Sequence, residues 1–259
     1  MKPMVSRLMI FPVALIVLIF LGAGLTAVAA SDEQRISPAP NVPRECVVLL
    51  HGLARTKSSM AKMEAALRTQ GYRVVNRGYE SRERSVEQLA ESTIVDAVAA
   101  CGVLLPMDRV HFVTHSMGGI LVRFYLANHR LVNLGRVVML SPPNQGSETV
   151  DKLANMPGFG WLNGPAGQQL GTDENSLPNR LGPADFELGI ITGNRSINLI
   201  LSTMIPGPDD GKVAVERAKL AGMADFLVVP HSHPFIMKKP LVIEQTDYFL
   251  QHGRFRRER

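Results

Sequence analysis

The chain has 259 residues, 46% of them hydrophobic and 20% charged, with a formal net charge of +5. This mixture supplies enough apolar material for a packed core and excludes an intrinsically disordered chain. The positive charges are scattered, with no helix-turn-helix or zinc-finger spacing and no basic face interleaved with aromatics, which excludes the common nucleic-acid modules.

Residues 1–30 read as a targeting segment. Lys2 and Arg7 give a short basic start, residues 8–25 are almost wholly apolar, and the small residues at 26–30 suit cleavage after Ala29 or Ala30. The apolar run also reaches the lower length limit of a membrane span, so an uncleaved anchor is the alternative. In either case the positive flank stays in the cytoplasm and the rest is exported, to the periplasm or beyond. Membrane association then runs through this segment. No cysteine stands at the cleavage site, which argues against a lipoprotein. Residues 31–45 carry Pro38, Pro40 and Pro43 and read as a linker. Cys46 and Cys101 both fall in the exported part, where an oxidising compartment favours a disulfide. Two small buried side chains are the alternative.

The body alternates strand and helix signals. Residues 46–50 are an apolar run ended by His51 and Gly52, suited to a strand buried on both faces. A helix is expected over 58–69, with Met60, Met63, Ala66 and Leu67 on one side and Gly71 as its stop. A strand over 72–75, a helix over 85–100, a strand over 110–114, a helix over 117–128 and a strand over 137–140 follow. Between 141 and 185 the period breaks down, Gly and Pro are dense, and Trp161 sits beside Phe159 and Leu162. A long irregular insertion of this kind is usually functional. Strands are expected again over 186–192 and 225–229, and a helix over 240–251. Such repetition predicts an α/β domain over 46–253, with about six core strands in a mainly parallel sheet and helices on both faces. The insertion over about 144–185 is expected to be cap-like. Arg254, Arg256, Arg257 and Arg259 make 254–259 a basic tail, read as a solvated terminus.

The chemistry concentrates around Thr114, His115, Ser116, Met117, Gly118 and Gly119, between a buried strand and an apolar helix. A serine at such a junction is the nucleophile elbow, a turn sharp enough to strain the backbone and expose the hydroxyl. Thr114 stands where the pattern usually has its first glycine. The strand ending at His51, Gly52 and Leu53 lies where an oxyanion-binding loop belongs, and the backbone amides of Leu53 and Met117 are the expected donors. An acid and then a histidine follow the serine in this motif. Asp210 is favoured as the acid over its neighbour Asp209, and His233 as the base over His231. His111, His129 and His252 read as structural or solvent-facing. His115 is expected to point away from the reacting atoms. His231 and His233 with Asp209 and Asp210 lack a familiar metal-ligand spacing, so neither a metal nor another cofactor is expected.

Several segments resemble the α/β-hydrolase superfamily, in particular its small bacterial lipase- and esterase-like members. They are 47–53, 112–119, 141–147, 210–213, and His233 with the closing helix that ends at 249–253. The resemblance implies a serine hydrolase acting on a carboxylic ester or lipid, with the sheet's usual first hairpin missing here. It also implies that the strand at Cys46 neighbours the strand at Val110. Cys46 and Cys101 would then meet at the sheet edge away from the site, as a disulfide. The apolar residues Met156, Phe159, Trp161 and Leu162 would either line an acyl pocket or cover the sheet. An acyltransferase on the same three residues, or a catalytically silent binding protein on this scaffold, are the alternatives.

Overall fold

The apolar run that follows the linker forms the first strand, β1 (Glu45–Leu50), and every residue after Glu45 is buried. In the computed structural model the described residues are 45–102, 108–154 and 156–257. The targeting segment 1–30, the linker up to residue 44 and the last two residues of the tail lie outside them. After β1 come a short 3-10 turn (Lys57–Met60), α1 (Ala61–Thr69), β2 (Arg73–Arg77), α2 (Val86–Cys101), β3 (Arg109–His115) and α3 (Met117–Asn128). Next are β4 (Leu134–Leu140), α4 (Glu148–Leu153), α5 (Phe159–Gln168), α6 (Leu177–Arg180) and β5 (Leu188–Gly193). The chain continues through α7 (Leu199–Ser202), α8 (Val215–Ala218), β6 (Asp225–Val229) and α9 (Pro240–His252).

The strands form one six-stranded sheet in the order β2-β1-β3-β4-β5-β6, with every neighbouring pair parallel. Side chains alternate across a strand, and both faces are covered here, so β1 is apolar at every position after Glu45. Val48 and Leu50 of β1 join Phe112 of β3, Leu89 and Ile94 of α2 and Ile120 of α3 on one face. Val47 and Leu49 join Val113, with Met63 and Leu67 of α1 and Phe249 of α9, on the other. The chain leaves central β1 for β2 on one side and crosses back to β3 on the other. Loops at the carboxyl ends of such strands diverge and leave a crevice, the usual ligand position in an open parallel sheet.

Helix ends follow their local chemistry. Ser85 accepts the amide of Gln88 and Gln88 accepts that of Ser85, a capping box that starts α2. Cys101, the last residue of α2, is joined to Cys46 by a disulfide at the end of the sheet opposite the crevice.

Two segments differ from expectation. The insertion after β4 is helical: α4, α5 and α6 lie where no period was legible. All three are short, and α5 is broken at Gly164, with Pro165 inside it, so no helical stripe has room to repeat. Gln169 ties this insertion to the start of α2, accepting the Val86 amide at 2.7 Å and donating to Glu87. Arg123 of α3, only 4% exposed, holds it from beneath through the carbonyls of Asn144, Pro178 and Gly182 at 2.8, 3.0 and 2.9 Å. Burial pulls that guanidinium down to about 10. The tail's described residues, 254–257, also lie back on the domain through Phe255, while Arg254, Arg256 and Arg257 remain exposed. Phe255 is buried against Phe249, and Arg257 pairs with Asp225 at 2.6 Å. The apolar Phe255 outweighs its charged neighbours because it completes the core beside α9.

The disulfide closes a loop with a sequence separation of 55. Its reduction, or Cys46→Ser with Cys101→Ser, should lower unfolding free energy by up to about 4 kcal/mol in the chain-entropy limit. Denaturant titrations with and without reductant measure the difference, and coincident curves would mean the cross-link adds no stability.

Candidate active site

Ser116 stands between β3 and α3 with φ 53° and ψ −124°, a region that side-chain-bearing residues rarely occupy. Such backbone strain costs on the order of 1–3 kcal/mol and persists only where surroundings enforce it. Here the Ser116 amide donates to the Leu140 carbonyl of β4 at 2.9 Å, and its carbonyl accepts the Gly119 amide at 2.9 Å. Gly118 meets the end of β1 so closely that a Cβ would lie 2.8 Å from the His51 carbonyl oxygen and 2.9 Å from that of Leu50. Thr114, in place of the motif's usual glycine, is buried beside Gly119, whose lack of a side chain makes the room.

The loop after β1 is braced by groups without a sequence signature. His51 is buried, stacks on Tyr79 with centroids 4.1 Å apart, donates from Nδ1 to the Gly52 carbonyl and accepts the Tyr79 amide at Nε2. These partners assign a neutral ring. Burial, partly opposed by the Gly52 carbonyl, Glu80 and the Tyr79 amide, keeps its pKa below the usual histidine value. The Tyr79 hydroxyl donates to the His51 carbonyl, and the Ala54 amide donates to Ser81 at 3.0 Å. Ala54 itself has φ 54°. Leu53 thereby lines the pocket at Ser116. The Leu53 and Met117 amides have no acceptor among the described residues. At the start of α3 such amides, with the helix dipole behind them, favour negative charge.

Asp210 and His233 meet directly. His233 Nδ1 donates to Asp210 Oδ2 at 2.8 Å, and the His233 amide donates to the Asp210 carbonyl at 2.9 Å. The other carboxylate oxygen accepts the amides of Lys212 and Val213 at 3.0 and 2.9 Å. Burial alone would raise the Asp210 carboxyl, but His233 and the Val213 amide outweigh it and hold the group below its ordinary value. The Ser141 hydroxyl adds to this from nearby, although it completes no hydrogen bond of normal geometry. Asp209 is engaged elsewhere, accepting Ser202 Oγ at 2.7 Å and the Gly211 amide at 2.6 Å. His231 contributes its carbonyl to the Arg195 amide, and its ring lies outside the pocket lining.

His115 departs from expectation. Its ring lies in the pocket wall, 4.8 Å from that of His233, and Nε2 donates to the His233 carbonyl at 3.0 Å. On β3 it shares a face with Val113, and the loop after β6 closes over that face. Burial first, then His233, Arg55 and Lys212, drive its pKa well below the ordinary value, against the bond to the His233 carbonyl.

These residues surround one pocket of about 400 Å³ that contains Ser116, Asp210 and His233 together with apolar Leu53, Val150, Leu153, Leu170 and Leu201. The insertion therefore does contribute apolar wall, through Val150, Leu153 and Leu170. Trp161 and Met156 are not part of it. Trp161 is 86% exposed and borders a separate, mostly polar groove beside 54–57 and 76–83. Among the described residues no group of three or more His, Cys, Asp or Glu is arranged to hold a metal ion.

The model of the alpha/beta hydrolase family matches residues 47–251. No curated protein is similar enough in sequence to count as a match. Among solved structures, the mature lipase BlEst2 of Bacillus licheniformis is 22% identical with a TM-score of 0.58, over 82% of this chain and 94% of that one. The phospholipase PlaB of Legionella pneumophila is 18% identical with a TM-score of 0.61, over 81% and 59%. Aspergillus fumigatus lipase B is 16% identical with a TM-score of 0.58, over 80% and 52%. At these identities the likeness is one of fold, and the chain spans only somewhat more than half the length of the last two.

Two outcomes follow from the geometry. Gly118→Ala forces its methyl against two carbonyl oxygens and should cost about 1–3 kcal/mol, read by denaturant titration; an unchanged midpoint would show that α3 can retreat freely. His115 is neutral when folded and protonates near pH 6.5 once unfolded, so the unfolded chain binds more protons in acid. Its contribution is complete above that pH and is lost as pH falls toward the lower folded value. Between pH 7 and 5, His115→Asn should lose thermal stability less steeply than the unaltered protein, and equal slopes would remove His115 from the account.

Proposed function

The chain belongs to the alpha/beta hydrolase family, and on that premise we propose that it is a serine hydrolase of carboxylic esters, acting through an acyl-enzyme on Ser116. The observation that carries this reading is the hydrogen-bonded Asp210–His233 pair lining the same pocket as a serine held at φ 53°. A strained serine, an imidazole oriented through Nδ1 and a buried carboxylate behind it are the parts that acyl transfer requires. The likeness in fold to a lipase of Bacillus licheniformis, a phospholipase of Legionella pneumophila and a lipase of Aspergillus fumigatus supports an ester as the substrate.

In the first step His233 takes the hydroxyl proton of Ser116 at Nε2 while Oγ bonds to the carbonyl carbon of the ester. The carbonyl electron pair moves onto oxygen, where the Leu53 and Met117 amides donate to it. Loss of one side-chain donor from such a hole typically costs about 2.7–4 kcal/mol of transition-state stabilisation. The tetrahedral species collapses, the ester C–O bond breaks, and His233 returns the proton to the departing alcohol. Water then attacks the acyl-enzyme with the same histidine as base, which releases the acid and regenerates Ser116. Asp210 keeps Nδ1 protonated and favours the imidazolium formed in each half-reaction. The acyl part lies against Val150, Leu153 and Leu170.

The Cys46–Cys101 disulfide supports an oxidising compartment, and with the segment 1–30 it favours export.

The test is hydrolysis of p-nitrophenyl esters of increasing acyl length by the protein lacking residues 1–30, beside Ser116→Ala and His233→Ala. Both variants should lose activity by a factor on the order of 10⁴ or more, and a fluorophosphonate should label Ser116 in the unaltered protein alone. Undiminished turnover in Ser116→Ala would refute the assignment.

A further inference from the structure

The charged side chains lining the pocket are Arg55, Lys212 and Asp210. Arg55 directly follows the turn that carries Leu53, and Lys212 lies two residues after the acid, so both cations ride on loops that build the site. Arg68, Arg77, Arg136, Arg217, Lys219, Arg256 and Arg257 each have a carboxylate within ion-pair distance. Arg55 and Lys212 have none among the described residues. Asp210 is engaged by other donors, one oxygen accepting two backbone amides and the other accepting His233. Acids on the facing helix α4 are engaged as well: Glu148 by Arg217 at 2.8 Å and Asp151 by the Thr172 hydroxyl at 2.6 Å.

The two cations feel each other. Lys212 keeps an exposed surface at the rim, yet its ammonium is crowded by the pocket walls. That burial and the repulsion of Arg55 lower its pKa, with Asp210 opposing them. Arg55 also borders the groove that holds Glu80 and Glu83, with neither within ion-pair distance among the described residues. Where it and Lys212 both line the Ser116 pocket, an anion entering between the two like charges is favoured. The remaining walls are largely apolar and offer no competing counter-charge.

We propose that Arg55 and Lys212 form an anion subsite at the mouth of the Ser116 pocket, and that the preferred esters carry a phosphate or carboxylate group within reach of it. The proposal rests on the serine-hydrolase reading, and it adds a charge requirement to the substrate class. The subsite binds the anionic group while the scissile carbonyl meets Ser116 and the apolar part lies along Val150, Leu153 and Leu170. The chemistry is the same whether the charge sits on the alcohol or on the acyl side.

Two matched pairs of soluble esters separate these sources. A short-chain monoacylglycerol against its 3-phosphate puts the charge on the alcohol. The p-nitrophenyl ester of pentanoic acid against p-nitrophenyl hemisuccinate puts it on the acyl group. The quantity read is the ratio of kcat/KM, anionic over neutral, within each protein, so a change in overall activity cancels. The unaltered protein should favour the anionic member of at least one pair by about tenfold or more, and the pair that responds identifies the side that carries the charge. Arg55→Gln with Lys212→Gln should bring that ratio toward one, each single variant should fall between, and added salt should narrow the preference. Turnover of neutral esters with no anionic preference in either pair overturns the subsite and leaves the hydrolase reading standing. A preference that survives in the double variant also overturns it. No turnover of any ester, with Ser116 unlabelled by a fluorophosphonate, removes both.

Discussion

The close approach of α3 to the carboxyl end of β1 is the contact on which the rest of the site depends. Gly118 lies against the carbonyl oxygens of Leu50 and His51, nearer than any side chain permits. This approach brings the first turn of α3 beside the loop that carries Leu53, so the two free amides come from elements that are remote in sequence. It also leaves Ser116 no relaxed conformation. The strain at φ 53° is balanced by the hydrogen bond to Leu140, by the Gly119 turn and by the packing of β3 between β1 and β4. A larger residue at Gly52 would meet the same obstacle from the other side, where a Cβ would stand 2.9 Å from His115 Nδ1.

Around that contact the buried polar groups are arranged so that each charge has a partner and each ring a defined proton. Asp210 accepts from three donors, which offsets the cost of burying a carboxylate. His51 and His115 are kept neutral by burial and donate to backbone carbonyls. Arg123 is satisfied by three carbonyl oxygens, and this fixes the insertion over the sheet without a buried counter-ion. Arg55 and Lys212 stand outside this pattern: neither has a carboxylate within ion-pair distance among the described residues, and both line the pocket that contains Ser116. A local field of this kind biases which ligands enter as well as how they are held.

The disulfide and the candidate site occupy opposite ends of the sheet. The disulfide at the start of β1 and the end of α2 braces the end away from the crevice. At the edge strand, Asp225 accepts from the Phe255 amide and from Arg257, which pins the returning tail. At the other end the strands give way to loops whose side chains are held by hydrogen bonds across long sequence separations. A rigid sheet can hold such loops in place without constraining their composition, which lets one fold serve many reactions.

The strand and helix alternation, the sharp turn at Ser116 and the candidate order of serine, acid and histidine were read from the residues. They depend on local rules: runs apolar on both faces, a small-residue turn and the spacing of strand ends. The six-stranded parallel sheet agrees with that reading. The helices of the insertion were not legible, because each is too short to repeat a stripe and α5 is broken at Gly164. The tail misled for a related reason: four arginines outnumber Phe255 in composition, yet one buried ring decides where the segment lies. The sequence favoured Asp210 over Asp209 and His233 over His231, but the hydrogen bond between them and the packing of His115 beside His233 came only from tertiary structure. Each depends on how loops from β1, β3, β5 and β6 converge on one point, and such convergence is set by sheet order and packing.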